Sequence, residues 1–236
     1  MLQLREQNSR RSPSVSGVEA WKWTNLGPGF YIATWDEIKG ALSADHYDAK
    51  REIAIAGIEG RFRERFVKPA NAIQDLDVTD ASGYAEGRGF SILAIDCLLL
   101  EALHGHEKGK RTEVSAETRD VFARTLENKQ QFGGAFDEDG RAAKFASSVR
   151  NGVLHDGETR HGWLVRQGFG DTRVAWTEGE RFVLNRDAFH KAVKDCLDEY
   201  FARLRRRDDP TSTELRETFF ERVEDLCRDS KPKTAP

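Results

Sequence analysis

The spacing of apolar residues predicts that most of this chain is helical. Ile55, Ile58, Phe62 and Phe66 recur at intervals of three and four residues, which places them on one face of an α-helix. Residues 90–103 are apolar on nearly every side, so they predict a central helix that the others surround. The predicted helices span residues 43–67, 90–103, 115–132, 140–155, 185–206 and a last stretch that begins at residue 211.

Residue types typical of helix ends set the boundaries of three of these helices. Pro69 is expected to end the first helix, because proline lacks the backbone N–H that a helix interior needs. Asn185 is expected to cap the N-terminus of the helix over residues 185–206. Thr211 and Glu214 match a capping box at the start of the last helix.

After residue 155 the apolar pattern changes from a helical period to an alternating one. The segments "GWLVR", "TRVAW" and "RFVLN" are short, alternate between apolar and polar residues, and are separated by turn residues, as β-strands are. They predict a small antiparallel β meander over residues 162–184. The predicted fold class is therefore mainly α, with this meander inserted after the helix that ends at residue 155.

Composition shifts at both ends predict how the chain is organised. Residues 18–35 contain three tryptophans around a Gly-Pro-Gly turn, which indicates an ordered arm laid against the core. The predicted parts are a mobile tail at residues 1–17, the arm at 18–42, a helical domain at 43–206, a C-terminal helix at 207–228 and a tail at 229–236.

Composition and charge narrow the class of protein. Hydrophobic residues make up 38% of the chain and charged residues 33%, which fits a folded protein with a well-solvated surface. The formal net charge of −3 argues against a generally cationic nucleic-acid binder, so phosphate recognition must be local. The three cysteines form no CxxC pair and are predicted to be reduced thiols. Residues 90–103 are fewer than the roughly 20 that cross a bilayer, and the N-terminus lacks an apolar signal region, so we expect a cytoplasmic protein without a membrane partner.

The helix predicted over residues 140–155 ends in the sequence "RNGVLHDG", which combines an arginine, an amide and a histidine. If the helix continues through His155, then Asn151 and His155 lie on one face, about 40° apart. Arg150 lies about 140° from His155 around the axis, but its long side chain can bend back across the turn. Gly152 clears the surface between them, which suggests that another group approaches the backbone closely there.

Arg150, the polar residue after it and His155 resemble the R-x4-6-H motif of HEPN-domain proteins. The segments "FASSV" before the motif, "DGETRHGW" after it and "AIDCLLLEAL" in the central helix also resemble one bacterial branch of that superfamily. The resemblance covers roughly residues 90–204 and does not account for the arm or the last helix.

The resemblance implies a HEPN-type helical bundle that acts as a homodimer, with the two motif helices facing each other. It implies an endoribonuclease that needs no metal or other cofactor, with catalytic roles for Arg150, Asn151 and His155. A role as a toxin or phage-defence effector is implied by the resemblance alone. The sequence identifies neither the RNA substrate nor a neutralising or regulatory partner.

The chemistry of these side chains fits RNA cleavage by the adjacent 2′-hydroxyl. An imidazole exchanges protons near neutral pH, as removal of the 2′-hydroxyl proton by His155 requires. The guanidinium of Arg150 can hold two phosphate oxygens while negative charge builds on them. Asn151 is expected to orient the ring or to bind the phosphate.

Four further residues are candidates for supporting roles. Asp96 and Glu101 are carboxylates in the otherwise apolar central helix, and a buried carboxylate needs a partner or a shifted pKa. One of them is expected to hold Arg150, unless each faces solvent or ties down a backbone group. Lys144 and Arg160 are basic residues on either side of the motif and are candidates for RNA binding.

Two other interpretations stay open from the sequence. The chain can be a non-catalytic helical module that binds RNA, a nucleotide or a protein partner through the same residues, in which case His155 need not exchange protons. It can also be a structural helical protein in which Arg150 and His155 are surface residues, since cations are favoured at helix C-termini by the helix dipole.

Overall fold

The computed structural model describes residues 22, 24–42, 49–76, 88–109, 116–138, 140–160, 162–167, 171–206 and 209–230, and within these ranges the chain is mainly helical with two small sheets. The helices are α1 Ile32–Ile38, α2 Ala49–Phe62, α3 Lys68–Asp75, α4 Gly89–Lys108, α5 Ala116–Asn128, α6 Arg141–Phe145, α7 Asn151–Asp156, α8 Arg186–Arg205 and α9 Pro210–Ser230. The strands are β1 Asn25–Gly27, β2 Phe30–Tyr31, β3 Trp163–Arg166, β4 Ala175–Glu178 and β5 Arg181–Asn185. The tail predicted at residues 1–17 lies outside the described residues.

Helix α4 lies at the centre of the fold, as the apolar run predicted. It packs against α3, α8 and α9, and Ile92, Leu93, Leu99 and Leu100 are almost completely buried among them. By length and hydropathy alone α4 meets the criteria for a membrane span, but half of its apolar window is buried inside the fold. A core helix surrounded by other helices shows the same composition.

Two π-helical turns each join α-helical segments into one longer helix. The turn Arg63–Val67 connects α2 to α3, and the turn Ala146–Arg150 connects α6 to α7. The prediction that Pro69 ends the first helix is therefore wrong, because α3 continues to Asp75. Pro69 follows the widened turn directly, where the N–H of Lys68 bonds to the carbonyl of Arg63, five residues back, so the regular i to i−4 pattern that proline disrupts is already interrupted there.

Residues 24–42 pack against α2 and α9. Strands β1 and β2 form a hairpin around the Gly-Pro-Gly turn, in which Gly29 has a φ of +69°. Phe30 and Trp35 are buried in the common hydrophobic core, and Nε1 of Trp35 donates to Oε2 of Glu224 at 2.5 Å. The arm thus shares the core of the helical domain.

Side-chain caps fix the starts of the last two helices. The prediction that Asn185 caps α8 is confirmed, since its Oδ1 accepts from the backbone N–H groups of the second and third residues of α8, at 3.1 Å each. The capping box predicted at Thr211 and Glu214 is wrong. Asp209 takes that role, because its carboxylate accepts from the N–H of Thr211 at 3.0 Å and Pro210 begins the helix.

Strands β3, β4 and β5 form one sheet, but they do not form the predicted antiparallel meander. Strand β5 lies in the centre, parallel to β3 on one side and antiparallel to β4 on the other. An alternating pattern predicts a strand but does not show which strands pair with it. Strand β5 ends in three consecutive buried residues, as expected for the strand in the middle of the sheet. Asn185 holds residues 171–174, which precede β4, across the end of β5. Its side-chain amide donates to the Asp171 carbonyl at 2.6 Å, and its N–H donates to the Val174 carbonyl at 2.9 Å.

Candidate functional site

The three motif residues lie at the C-terminal end of the helix formed by α6, the π-helical turn and α7. The turn ends at Arg150, and α7 then runs as regular helix from Asn151 to Asp156. Gly157 ends it with a φ of +72°. The prediction that the helix continues through His155 is confirmed, so Asn151 and His155 lie one turn apart on the same face.

The guanidinium of Arg150 is held by two neighbouring side chains. Its Nε donates to Oε1 of Glu101 at 2.5 Å, and its Nη1 donates to Oδ1 of Asn151 at 2.7 Å. The side chains of Arg150 and Glu101 are only 18% and 15% exposed, so water screens this ion pair less than it would a surface pair. Because Glu101 belongs to α4, the pair fixes the arginine relative to the central helix. Within the described ranges, Nη2 of Arg150 has no hydrogen-bond partner.

His155 differs from Arg150 in both exposure and contacts. It is exposed at the end of α7, and it makes no hydrogen bond or ion pair within the part of the chain that the structure describes. The site therefore combines a fixed, mostly buried arginine with an accessible histidine, and Asn151 lies between them in the helix.

Asp96, the other carboxylate of the central helix, faces a different neighbour. Its Oδ1 lies 2.7 Å from Nδ1 of His190 on α8, and Nε2 of that ring lies 2.9 Å from Oδ1 of Asn71 on α3. Burial raises the pKa of Asp96, and the hydrogen bond from His190 opposes that shift. Of the two carboxylates that were candidates to hold Arg150, Glu101 does so and Asp96 links three helices.

The two basic residues that were candidates for RNA binding already have partners. Nε of Arg160 donates to Oδ2 of Asp156 at 2.6 Å, and both side chains are about half exposed. Nζ of Lys144 lies 5.1 Å from the ring centroid of Phe182 in a cation–π contact. Both residues are exposed near the motif helix, so they can meet a ligand if these weak surface contacts are exchanged.

Gly152 is needed because the chain folds back over the motif helix. A Cβ at this position would lie 2.3 Å from the carbonyl oxygen of Glu158 and 3.4 Å from Cγ of Arg160. The N–H of Arg160 also bonds to the carbonyl of Ser148 at 2.9 Å, which fixes the returning segment on the helix. The close approach that Gly152 suggested is thus made by the chain itself.

Replacing Gly152 with alanine is expected to lower the free energy of unfolding by about 1–3 kcal/mol, because the new methyl group overlaps backbone that cannot rotate away. Urea denaturation followed by circular dichroism measures this change. Gly40→Ala is the matched control, since a Cβ there meets nothing within 4 Å. If both variants kept wild-type stability, the segment after α7 would not be packed as described.

Comparisons with known proteins identify no relative from which the role of this site could be inferred. No protein-family model matches the chain, and searches of curated proteins and of solved structures found no match. The fold and site define a mainly helical protein with a positioned arginine and an accessible histidine at one helix end. Among the described residues, no three His, Cys, Asp or Glu side chains are grouped so as to hold a metal ion.

Proposed function

We propose that this protein is a metal-independent endoribonuclease of the HEPN type. The main observation behind the proposal is that the two motif residues differ in their surroundings. Arg150 is held by Glu101 and Asn151, whereas His155 is exposed and has no partner in the described fold. Cleavage of RNA by its own 2′-hydroxyl requires these two functions, stabilisation of charge on the phosphate and transfer of a proton.

In the proposed reaction, His155 accepts the proton of the 2′-hydroxyl as the 2′-oxygen bonds to phosphorus. The bond from phosphorus to the 5′-oxygen breaks, and the departing 5′-oxygen takes up a proton. Arg150 stabilises the phosphate oxygens through Nη2, while Glu101 and Asn151 hold the guanidinium in place. The products are a 2′,3′-cyclic phosphate and a 5′-hydroxyl.

The proposal includes a homodimer in which two motif helices face each other. One motif supplies one histidine, but the reaction needs both a base for the 2′-hydroxyl and an acid for the 5′-oxygen. A second copy related by a two-fold axis would supply the second imidazole. Leu98 supports an interface here, since it is 44% exposed on α4 only one turn before Glu101. A toxin or phage-defence role enters this proposal only through the HEPN resemblance.

Purified protein is expected to cleave unstructured RNA in the presence of EDTA, because side chains supply both the proton transfer and the charge stabilisation. The products should carry 2′,3′-cyclic phosphate and 5′-hydroxyl ends, which mass spectrometry identifies. The matched substrate is the same RNA with a 2′-methoxy group at the scissile nucleotide, which should resist cleavage.

Three outcomes would argue against this reaction. Activity that disappears in EDTA and returns with Mg²⁺ or Mn²⁺ would point to a metal-dependent nuclease. Cleavage of the 2′-methoxy RNA would show that the 2′-hydroxyl is not the nucleophile. Tight RNA binding without any cleavage would favour the non-catalytic binding module instead.

A further inference from the structure

The segment that follows the motif helix returns across it and positions Arg160. The backbone N–H of Arg160 donates to the carbonyl of Ser148 at 2.9 Å, and its Cγ lies 3.4 Å from where a Cβ on Gly152 would be. The carbonyl of Arg160 accepts from the N–H of Trp163 at 3.5 Å. The base of this side chain is therefore fixed against α7, although the side chain as a whole is about half exposed.

The guanidinium of Arg160 is held by a single oxygen of Asp156. Both Nε and Nη2 donate to Oδ2 of that carboxylate, with the Nε contact at 2.6 Å. Nη1 has no hydrogen-bond partner within the described ranges. A guanidinium is held most strongly when its paired N–H groups meet two separate oxygens, as a phosphate provides. Because an exposed ion pair of this kind contributes little to stability, a phosphate can replace the carboxylate.

The two arginines lie on opposite sides of His155. Asn151 lies about 40° from His155 around the axis of α7, and its Oδ1 accepts from Arg150. Asp156 lies about 100° from His155 in the other direction, and its carboxylate accepts from Arg160. An RNA strand that crosses this face with its scissile phosphate between Arg150 and His155 therefore passes Arg160 next.

We propose that Arg160 binds the phosphate next to the scissile one, and that Asp156 competes with this phosphate for the guanidinium. The inference rests on the proposed RNA cleavage and adds to it a second phosphate contact and an internal competitor. Without RNA, Asp156 holds Arg160 against α7, and when RNA binds, phosphate oxygens take the place of the carboxylate. Asp156 therefore lowers the affinity for RNA, because it occupies the donors that the phosphate needs.

The probe for this contact is a labelled single-stranded RNA with 2′-methoxy groups at every nucleotide, which the wild-type protein should bind without cleaving. Arg160→Gln is expected to weaken binding about tenfold, as the loss of a hydrogen bond to a charged group does. It should also reduce the slope of log Kd against log salt concentration by about 0.7, since one phosphate contact is lost. A merely structural role of Arg160 would leave that slope unchanged.

Asp156→Asn tests the competition in the opposite direction. Release of Arg160 should tighten RNA binding about two- to fivefold, in line with the strength of an exposed ion pair. Glu158→Gln is the matched control, because Glu158 is exposed beside the motif helix and its replacement removes the same charge without releasing an arginine. In the Arg160→Gln background, Asp156→Asn should tighten binding no more than Glu158→Gln does.

The outcomes separate this inference from the proposed cleavage. Equal RNA affinity and salt slope in wild type and Arg160→Gln would overturn the second phosphate contact and leave the cleavage reaction in place. Equal tightening by Asp156→Asn and Glu158→Gln would overturn the competition. Binding that depends on Arg160, in a protein that does not cleave unmodified RNA, would support the contact and overturn the cleavage. Failure of the wild type to bind RNA would overturn both.

Discussion

Replacing His155 with alanine is expected to slow RNA cleavage by about 10²–10⁴-fold, the usual contribution of a positioned proton-transfer group. The affinity for RNA should stay nearly unchanged, because His155 has no partner in the described fold and the phosphate contact is assigned to Arg150. Single-turnover cleavage rates and filter binding of the same labelled RNA measure the two quantities separately. Stability should also stay at the wild-type value, since an exposed side chain is removed.

Arg150 provides the contrast, because its loss should weaken binding and cleavage together. In the proposed reaction, Arg150→Ala would remove both a charge-assisted phosphate contact and the stabilisation of the transition state. Arg150→Lys should recover little of the RNA binding and cleavage lost in Arg150→Ala, since an ammonium group cannot donate to Glu101, Asn151 and a phosphate in one plane. His104→Ala, a histidine of α4 that bonds to Thr125, is the control and should cleave like the wild type. Full activity of His155→Ala would contradict the proposed mechanism.

A mixture of wild type and His155→Ala tests whether the two motif helices share one active site. If the base comes from one protomer and the acid from its partner, a mixed dimer holds only one of the two imidazoles that the reaction needs. After subunit exchange with an excess of His155→Ala, the activity should therefore fall well below that of the same amount of wild type alone. Unchanged activity, in a sample whose mixed dimers are verified by native mass spectrometry, would mean that each site uses its own Arg150 and His155.

The local pattern was enough to find the motif helix but not the contacts of its central carboxylates. Asp96 and Glu101 are five residues apart, so they point about 140° away from each other around α4. Which of them meets Arg150 depends on where α7 and α8 pack, and that is a property of the whole fold. The sequence did contain a sign that His190 is buried. It precedes the buried Val193 by three residues, and Leu197 follows four residues later, so all three lie on the apolar face of α8.

Backbone irregularities set the other limit on what the sequence predicts. The alternating segments after residue 155 gave the strands, but the central position of β5 depends on tertiary contacts of Asn185. The two π-helical turns have no local signature, and one of them allows the helix to pass Pro69. Gly152 did mark a close approach to the backbone, but a glycine cannot indicate whether a ligand or the carbonyl of Glu158 makes it.

Removing the carboxylate of Asp96 is expected to have the largest effect on stability. Asp96→Ala leaves Nδ1 of His190 facing a dry cavity between α3, α4 and α8, and breaking a buried pair in this way typically costs about 3–5 kcal/mol. That loss is a large part of the roughly 5–15 kcal/mol that stabilises an ordinary domain. The midpoint and slope of urea unfolding give the change in the free energy of unfolding.

The size of that loss separates a buried polar link from an ordinary ion pair. Asp195→Ala on α8 is the matched control, since its exposed pair with Lys191 should contribute only about 0.3–0.5 kcal/mol. Asp96→Asn should lose less than Asp96→Ala, because the amide oxygen can still accept a hydrogen bond from His190. Burial raises the pKa of Asp96, which means that the fold disfavours the charged carboxylate. The hydrogen bond from His190 offsets part of that cost. A loss in Asp96→Ala no greater than that in Asp195→Ala would show that the link between Asp96, His190 and Asn71 does not hold the three helices together.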